Sequence, residues 1–270
     1  MTASPLRVWT KVREFSTSKW IAIGLIAAAL MAALSTPAYT SFKRKKMLSE
    51  NDWKALEFQC KHETFDIRAA GPEAEEWYQQ SRSHYSIGMS SERPELLARH
   101  VELLTMAAEQ GHPKAMNNLV IAYRDGVGVK QSASKAVGWT EKMMEANIGV
   151  GFYNMGIFLE QGFGVRADRE ASLAYFRRAA DLGNRQGQYL VGKKLFSIPP
   201  GPEADRVFPI AEGMLRCALQ QGEADAGFEL ALQHLAWFDD WWQAAYWYQQ
   251  AGKLGHRTAL SALRAMFAEG

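Results

Sequence analysis

The sequence predicts an all-α fold, a right-handed α-solenoid of stacked helix hairpins, and three observations carry that prediction. A helix-ending residue recurs as Gly111, Asn147, Gly183, Gly222 and Gly255, at spacings of 36, 36, 39 and 33. Each is a type that accepts the left-handed conformation closing a helix. Four residues after each stands a small side chain (Ala115, Gly151, Gly187, Ala226, Ala259), and eight after stands an apolar one (Leu119, Met155, Val191, Leu230, Leu263). A spacing of four puts both on one helical face, where the small residue admits a neighbouring helix and the large one fills the space beside it. No alternating run of strand length stands out. A period near 36 residues marks a unit that cannot bury its apolar face alone and must stack.

Two turns repeat with the helices: Gly126-Val127-Gly128-Val129 and Gly162-Phe163-Gly164-Val165 are 36 residues apart. Paired glycines permit a tight reversal, and the valine can tuck under the next unit. With these residues the chain resembles the Sel-one-like repeat family. The unit holding Met155-Gly156, Gly162, Gly164-Val165, Asp168, Ala171, Tyr175 and Ala179-Ala180 matches its pattern closely. The preceding unit matches through Ala115, Leu119, Tyr123, Gly126, Gly128-Val129, Lys135-Ala136 and Trp139. The resemblance covers residues 73–270 and implies a tetratricopeptide-like solenoid whose first helices line the concave side. It bears on architecture and is nearly silent on chemistry.

Taken in order, residues 1–46 carry eight Lys or Arg and one acid, leaving 23 basic and 28 acidic residues beyond them. The basic whole-chain pI near 8.4 therefore belongs to the leader, and nucleic acid is not an expected partner. From Trp20 to Phe42 there is no charge. As a helix these residues reach about 34 Å, enough to cross a hydrocarbon core. Two readings stay open. One is an uncleaved transmembrane signal anchor, preferred because a long leader precedes it. The other is a signal peptide cleaved near Thr36-Pro37-Ala38, which leaves a soluble periplasmic protein. Arg7, Lys11, Arg13 and Lys19 on one side balance Lys43, Arg44, Lys45 and Lys46 on the other, so charge does not decide orientation. Signal-like leaders favour the amino terminus inside and the repeats in the periplasm, at a bacterial inner membrane contacted through residues 20–42.

Residues 47–72 read as a membrane-proximal connector with a short helical pattern, broken at Gly71-Pro72. The first helix pair is expected at 73–88 and 93–110, without a glycine loop, as suits a terminal cap. Pairs follow at 114–124 with 132–146 and at 151–161 with 168–182, Asp168 serving as an N-cap. In the third unit Ser197-Ile198-Pro199-Pro200-Gly201-Pro202 replaces the glycine turn and explains the spacing of 39. The fourth closes at Trp237-Phe238-Asp239-Asp240-Trp241-Trp242, and 257–268 form a final single helix. Cys60 and Cys217 are the only cysteines. That number excludes the disulfide framework of the family's cysteine-rich secreted branch, and Cys217 reads as a buried small hydrophobe.

Candidate chemistry is sparse. Gly126-Val127-Gly128-Val129-Lys130 imitates a phosphate loop but lacks a preceding strand and the full spacing, and its recurrence with Arg166 marks a repeat turn. Ser132-x-x-Lys135 has the spacing of a nucleophile and base, yet Ser16-x-x-Lys19 shows it too. The histidines at 62, 84, 100, 112, 234 and 256 show no pairing at metal-ligand distance, and His112 and His256, just after helix-ending glycines, suit capping or solvation. The reading is therefore a non-enzyme without cofactor or metal.

Partner binding has two candidate surfaces. Trp237, Phe238, Trp241, Trp242, Tyr246, Trp247 and Tyr248 crowd into twelve residues. Trp247 occupies the family's core position, whereas Trp241 and Trp242 point about 100° apart and are hard to bury together. With Asp239 and Asp240 beside them they offer an anchor for a protein, core packing being the alternative. The predicted concave side presents Asn117, Ile121, Arg124, Tyr153, Ile157, Glu160, Tyr189, Lys193, Phe228 and Leu232, either as a peptide groove or as inter-repeat packing. Finally, Phe58-Gln59-Cys60-Lys61-His62-Glu63 resembles a segment preceding the repeats in bacterial membrane-tethered Sel-one-like proteins. That resemblance implies immunity against an antibacterial lipase effector of the type six secretion system. A cell-envelope scaffold is the alternative, and a hydrolase a remote one.

Overall fold

The computed structural model describes residues 57–198 and 201–268. The expected anchor at 20–42, the remainder of residues 1–46, and the first part of the connector lie outside the described residues. Within them no helix is long and apolar enough to cross a membrane.

The described residues form eleven α-helices and no strand: α1 (Pro72–Ser90), α2 (Pro94–Glu109), α3 (Pro113–Asp125), α4 (Ala133–Glu145), α5 (Gly149–Gln161), α6 (Arg169–Asp181), α7 (Arg185–Phe196), α8 (Pro202–Gln220), α9 (Ala224–Phe238), α10 (Trp241–Lys253) and α11 (Arg257–Ala268). Each helix packs on the ones before and after it in the chain, and α7 also touches α9, the first helix of the next hairpin. This is the contact pattern of a solenoid.

One short connection, used five times, explains the repeat. The helix-ending residues all have positive φ, from 56° at Asn147 to 92° at Gly183 and Gly255. At the first of them Gly111 N–H donates to Ala108 O and His112 N–H to Ala107 O, the paired bonds that close a helix end. The same pair recurs at Asn147 and Ile148, at Gly183 and Asn184, at Gly222 and Glu223, and at Gly255 and His256. The residue completing each closure is also the N-cap of the next helix. His112 Nδ1 accepts from Ala115 N–H at 3.2 Å, Asn184 Oδ1 from Gly187 N–H at 2.9 Å, and His256 Nδ1 from Ala259 N–H at 3.0 Å. Of the two roles expected of His112 and His256, capping or solvation, capping is what the structure contains. Ile148 and Glu223 occupy the same place without a capping side chain.

The small residues beyond these caps permit close helix approach. A Cβ at Gly151 would sit 2.6 Å from Met143 Cβ on α4, and Ala115, Ala226 and Ala259 are fully buried. The Gly-x-Gly-Val turns dock backward: a Cβ at Gly128 would lie 2.1 Å from the Leu97 carbonyl oxygen on α2. Val129 and Val165 pack against the core below. The second helices α4, α6 and α10 start on polar caps: Ser132 Oγ accepts from Lys135 N–H, Asp168 Oδ1 from Ala171 N–H at 2.9 Å and Asp240 Oδ1 from Gln243 N–H at 3.0 Å.

Apolar burial runs the length of the stack. Phe152, Phe158, Phe176, Leu119, Met214, Leu215 and Leu230 are fully buried, each contributing roughly 1.5–3 kcal/mol against exposure. Residues 57–67, the described part of the connector before its turn, form an irregular strap, followed by a 3-10 turn at Arg68–Ala70. One expectation needs correction: Cys217 is buried as expected but is disulfide-bonded to Cys60, 157 residues earlier. Two cysteines exclude a framework of bridges but not a single bridge, and only tertiary proximity decides between a thiol and a bond.

Candidate partner-binding surface

The aromatic cluster divides by depth. Trp247 and Tyr248 are buried against α9, and Trp237 is half-buried with its ring edge-on to Phe208, 4.7 Å between centroids. Phe238, Trp241, Trp242 and Tyr246 face outward, Trp242 being 79% and Trp241 57% exposed. Neither adjacent tryptophan is buried, because α10 starts there with its inward face already taken by Ala244, Ala245, Trp247 and Tyr248. The turn holding them is braced by side-chain hydrogen bonds. Asp239 ends α9 at φ 49°, its carboxylate accepts from Trp241 Nε1 at 2.8 Å, and Asp240 caps α10. Both aspartates thus position the aromatic groups and are themselves engaged.

The first helices of successive hairpins carry the second predicted set, and here most polar groups are bonded to one another. Asn154 Nδ2 donates to Asn117 Oδ1 at 3.0 Å, tying α5 to α3. Lys193 donates to Tyr189 OH at 3.2 Å and lies 3.4 Å from the Glu229 carboxylate, tying α7 to α9. The Tyr189 hydroxyl is the main reason the Lys193 ammonium is held above its ordinary range. Arg124 makes a two-pronged pair with Asp125 at 2.7 and 2.8 Å. Tyr153 is half-buried, and burial pushes its hydroxyl above the usual tyrosine value. Glu160 is exposed at the end of α5. Inter-repeat packing therefore accounts for Asn117, Tyr189 and Lys193, leaving Glu160 free to face solvent.

Sequence reasoning missed the strap. Phe58 packs with Val191, Met214 and Ile210 between α7 and α8. The Lys61 carbonyl accepts from Gln188 Nε2 at 2.8 Å, and Glu63 N–H donates to Gly183 O at 3.0 Å. A Cβ at Gly183 would lie 2.6 Å from Glu63 N, so glycine there serves both the helix end and the strap's approach. The Glu63 carboxylate accepts from Val150 N–H at 2.7 Å and from Asn184 Nδ2 at 2.8 Å, and Gly149 N–H bonds it too. It supplies from 87 residues away the cap that Ile148 lacks. Burial raises its pKa against the pull of those donors. Between the strap and the starts of α3, α5 and α7 lies a polar groove of about 410 Å³ lined by Glu63, Lys114, Asn117, Asn118, Arg185 and Gln221. A signal for the strap existed in the sequence: Ile148 is an apolar residue at a place where His112, Asn184 and His256 stand.

The enzyme-like matches resolve into turns and caps. Ser132 Oγ accepts from Lys135 N–H as the N-cap of α4, and Lys130 follows the turn that docks on α2. His100 is buried, its Nδ1–H donating to Ser81 O at 2.8 Å.

The fold defines a helix-hairpin repeat protein. A family model of the Sel1 repeat matches residues 101–112, 113–147, 153–184 and 243–256, so these segments are Sel1 repeats. It is similar to a Sel1 repeat protein from Oxalobacter formigenes at 31% identity and TM-score 0.55, the match covering 63% of this chain and 49% of that one, so the chain spans about half that protein's length. The immunity protein Pa5087 from Pseudomonas aeruginosa is similar at 28% identity, TM-score 0.55, with 75% and 74% of the two chains covered. The immunity protein PA5088 from the same organism shows 26% identity, TM-score 0.52, and coverage of 75% and 73%.

Proposed function

We propose that this chain is a membrane-tethered immunity protein that captures and neutralises an antibacterial lipase effector in the periplasm, without chemistry of its own. The observation carrying the reading is its likeness, over about three quarters of both chains, to two proteins named as immunity proteins. The Cys60–Cys217 disulfide supports an oxidising compartment such as the periplasm. The uncharged stretch Trp20–Phe42 supports a tether. The resemblance of Phe58–Glu63 to the pre-repeat segment of lipase immunity proteins supports the class of effector.

Capture is assigned to the braced aromatic turn, with Trp242, Trp241 and Phe238 as anchors and Trp237, Asp239 and Asp240 supporting them, joined by Arg124, Tyr153 and Glu160 on the first helices. Exposed, preorganised tryptophans lose little entropy on binding and bury much area. The test is a competition between sibling cells, with a lipase effector gene expected beside this one. Deletion should be lethal only when the neighbouring effector is intact. Harmless deletion in the presence of toxin-bearing siblings removes the immunity reading and leaves the envelope scaffold.

A further inference from the structure

We infer that in the dithiol form of this chain Cys60, His62 and Cys217 constitute a zinc site, with the metal taking the place of the disulfide in holding the strap to α8. The two sulfurs and a ring nitrogen of His62 all lie within 4.8 Å of one another. The Cα atoms of the two cysteines are 5.5 Å apart. Tetrahedral zinc with Zn–S bonds of about 2.3 Å needs sulfurs roughly 3.8 Å apart, an opening that rotation of two short side chains supplies. Two thiolates and an imidazole are the donor set that suits a borderline cation.

Three features favour ligation over a chance cluster. His62 is exposed, and among the described residues no hydrogen bond or ion pair engages its ring. The strap is pinned on both sides of the ligands without help from the disulfide. Phe58 is packed between α7 and α8, Gln188 holds the Lys61 carbonyl, and the Glu63 backbone and carboxylate are bonded to Gly183, Val150 and Asn184. Opening the S–S bond therefore leaves the ligands in place, which is the preorganisation a metal site requires. Oxygen atoms also stand close by, the Lys61 carbonyl 3.5 Å from Cys217 Sγ and Gln220 Oε1 3.7 Å from Cys60 Sγ, so a fourth ligand from the protein or water is within reach.

The step is a ligand exchange without redox change: two thiols bind Zn²⁺, two Zn–S bonds form, and two protons leave to solvent. A chain not yet oxidised is thereby cross-linked at the same two residues, and its thiols are protected from other oxidation.

The experiment uses the full-length chain reduced anaerobically with a phosphine, freed of reductant, and titrated with Co²⁺ followed by Zn²⁺. One Co²⁺ per chain is expected, with sulfur-to-cobalt charge-transfer absorbance and the visible bands of tetrahedral geometry, all bleached by one equivalent of Zn²⁺. The oxidised chain should show neither. His62→Ala should weaken cobalt binding roughly tenfold or more with unchanged circular dichroism, and Cys217→Ser should abolish stoichiometric binding. Absence of the bands in reduced wild type overturns the proposal, as does unchanged affinity in His62→Ala. Loss of helical structure on reduction overturns it as well, since the strap would not then be pinned independently of the disulfide.

Discussion

Trp241 and Trp242 test whether exposure at a braced turn means binding. Because both rings lie mainly in solvent, truncation removes little packing, and Trp241→Ala with Trp242→Ala should leave unfolding free energy within about 0.5 kcal/mol of wild type. On the proposed function, loss of an anchor pair should weaken capture of the protein partner by roughly 2–4 kcal/mol, read by calorimetric titration. Parallel loss of stability and affinity would return both rings to the core. His100 makes a second statement at this scale. It sits on α2 against Ser81, beside the Tyr85 ring and near His84 on α1, and burial holds its pKa below the ordinary value. Below about pH 6.5 the unfolded chain takes up a proton that the folded chain resists, so ν_U exceeds ν_N and stability falls as pH falls. In His100→Gln that slope should flatten in denaturant titrations at pH 5–7; an unaltered slope would show that His100 is not its source.

At the scale of the element, α5 is the helix that depends on another part of the chain. It begins after Ile148, which packs against the core instead of capping, so its first N–H groups are met by Glu63. Glu63→Ala removes a cap, worth about 1 kcal/mol, and leaves buried donors short of a partner, so a total cost of about 1–3 kcal/mol is expected in urea denaturation. Hydrogen exchange should rise first at Gly149 and Val150 in this variant. Faster exchange confined to α1 instead would show that the strap does not support α5. The Glu75 carboxylate meets His112 Nε2 at 2.9 Å at the start of α3, and Asp225 stands 3.3 Å from His256 Nε2 at the start of α11. In each of these three places a carboxylate from elsewhere in the chain meets a helix start or its cap.

For the whole molecule, the disulfide and strap alter the logic of a linear stack. Helix contacts are almost all between sequence neighbours, so an unbridged array is free to fray repeat by repeat. Cys60–Cys217 closes a loop with a sequence separation of 157 that takes in α1 to α7 and most of α8, for which chain entropy gives up to about 5 kcal/mol. Cys60→Ser with Cys217→Ser should therefore lower the thermal midpoint by several degrees and broaden the transition. An unchanged, equally sharp transition would show that closing this loop adds nothing to the stability or cooperativity of the stack.

The helix ends, the glycine turns and the order of hairpins were legible because each is a local matter. A left-handed closure needs glycine or asparagine, a cap needs a short polar side chain, and both recur at fixed spacing, so residues such as Gly183 and Asp168 announce themselves. Trp242 and Trp247 were separable in part, since one follows the core register and the other cannot. What tertiary structure alone decided is long-range: the disulfide between Cys60 and Cys217, the cap delivered by Glu63, and the engagement of Asn117 and Lys193 with neighbouring hairpins. Those depend on which surfaces meet after the units stack, and a strap crossing several repeats leaves no period in the sequence from which its landing place can be read.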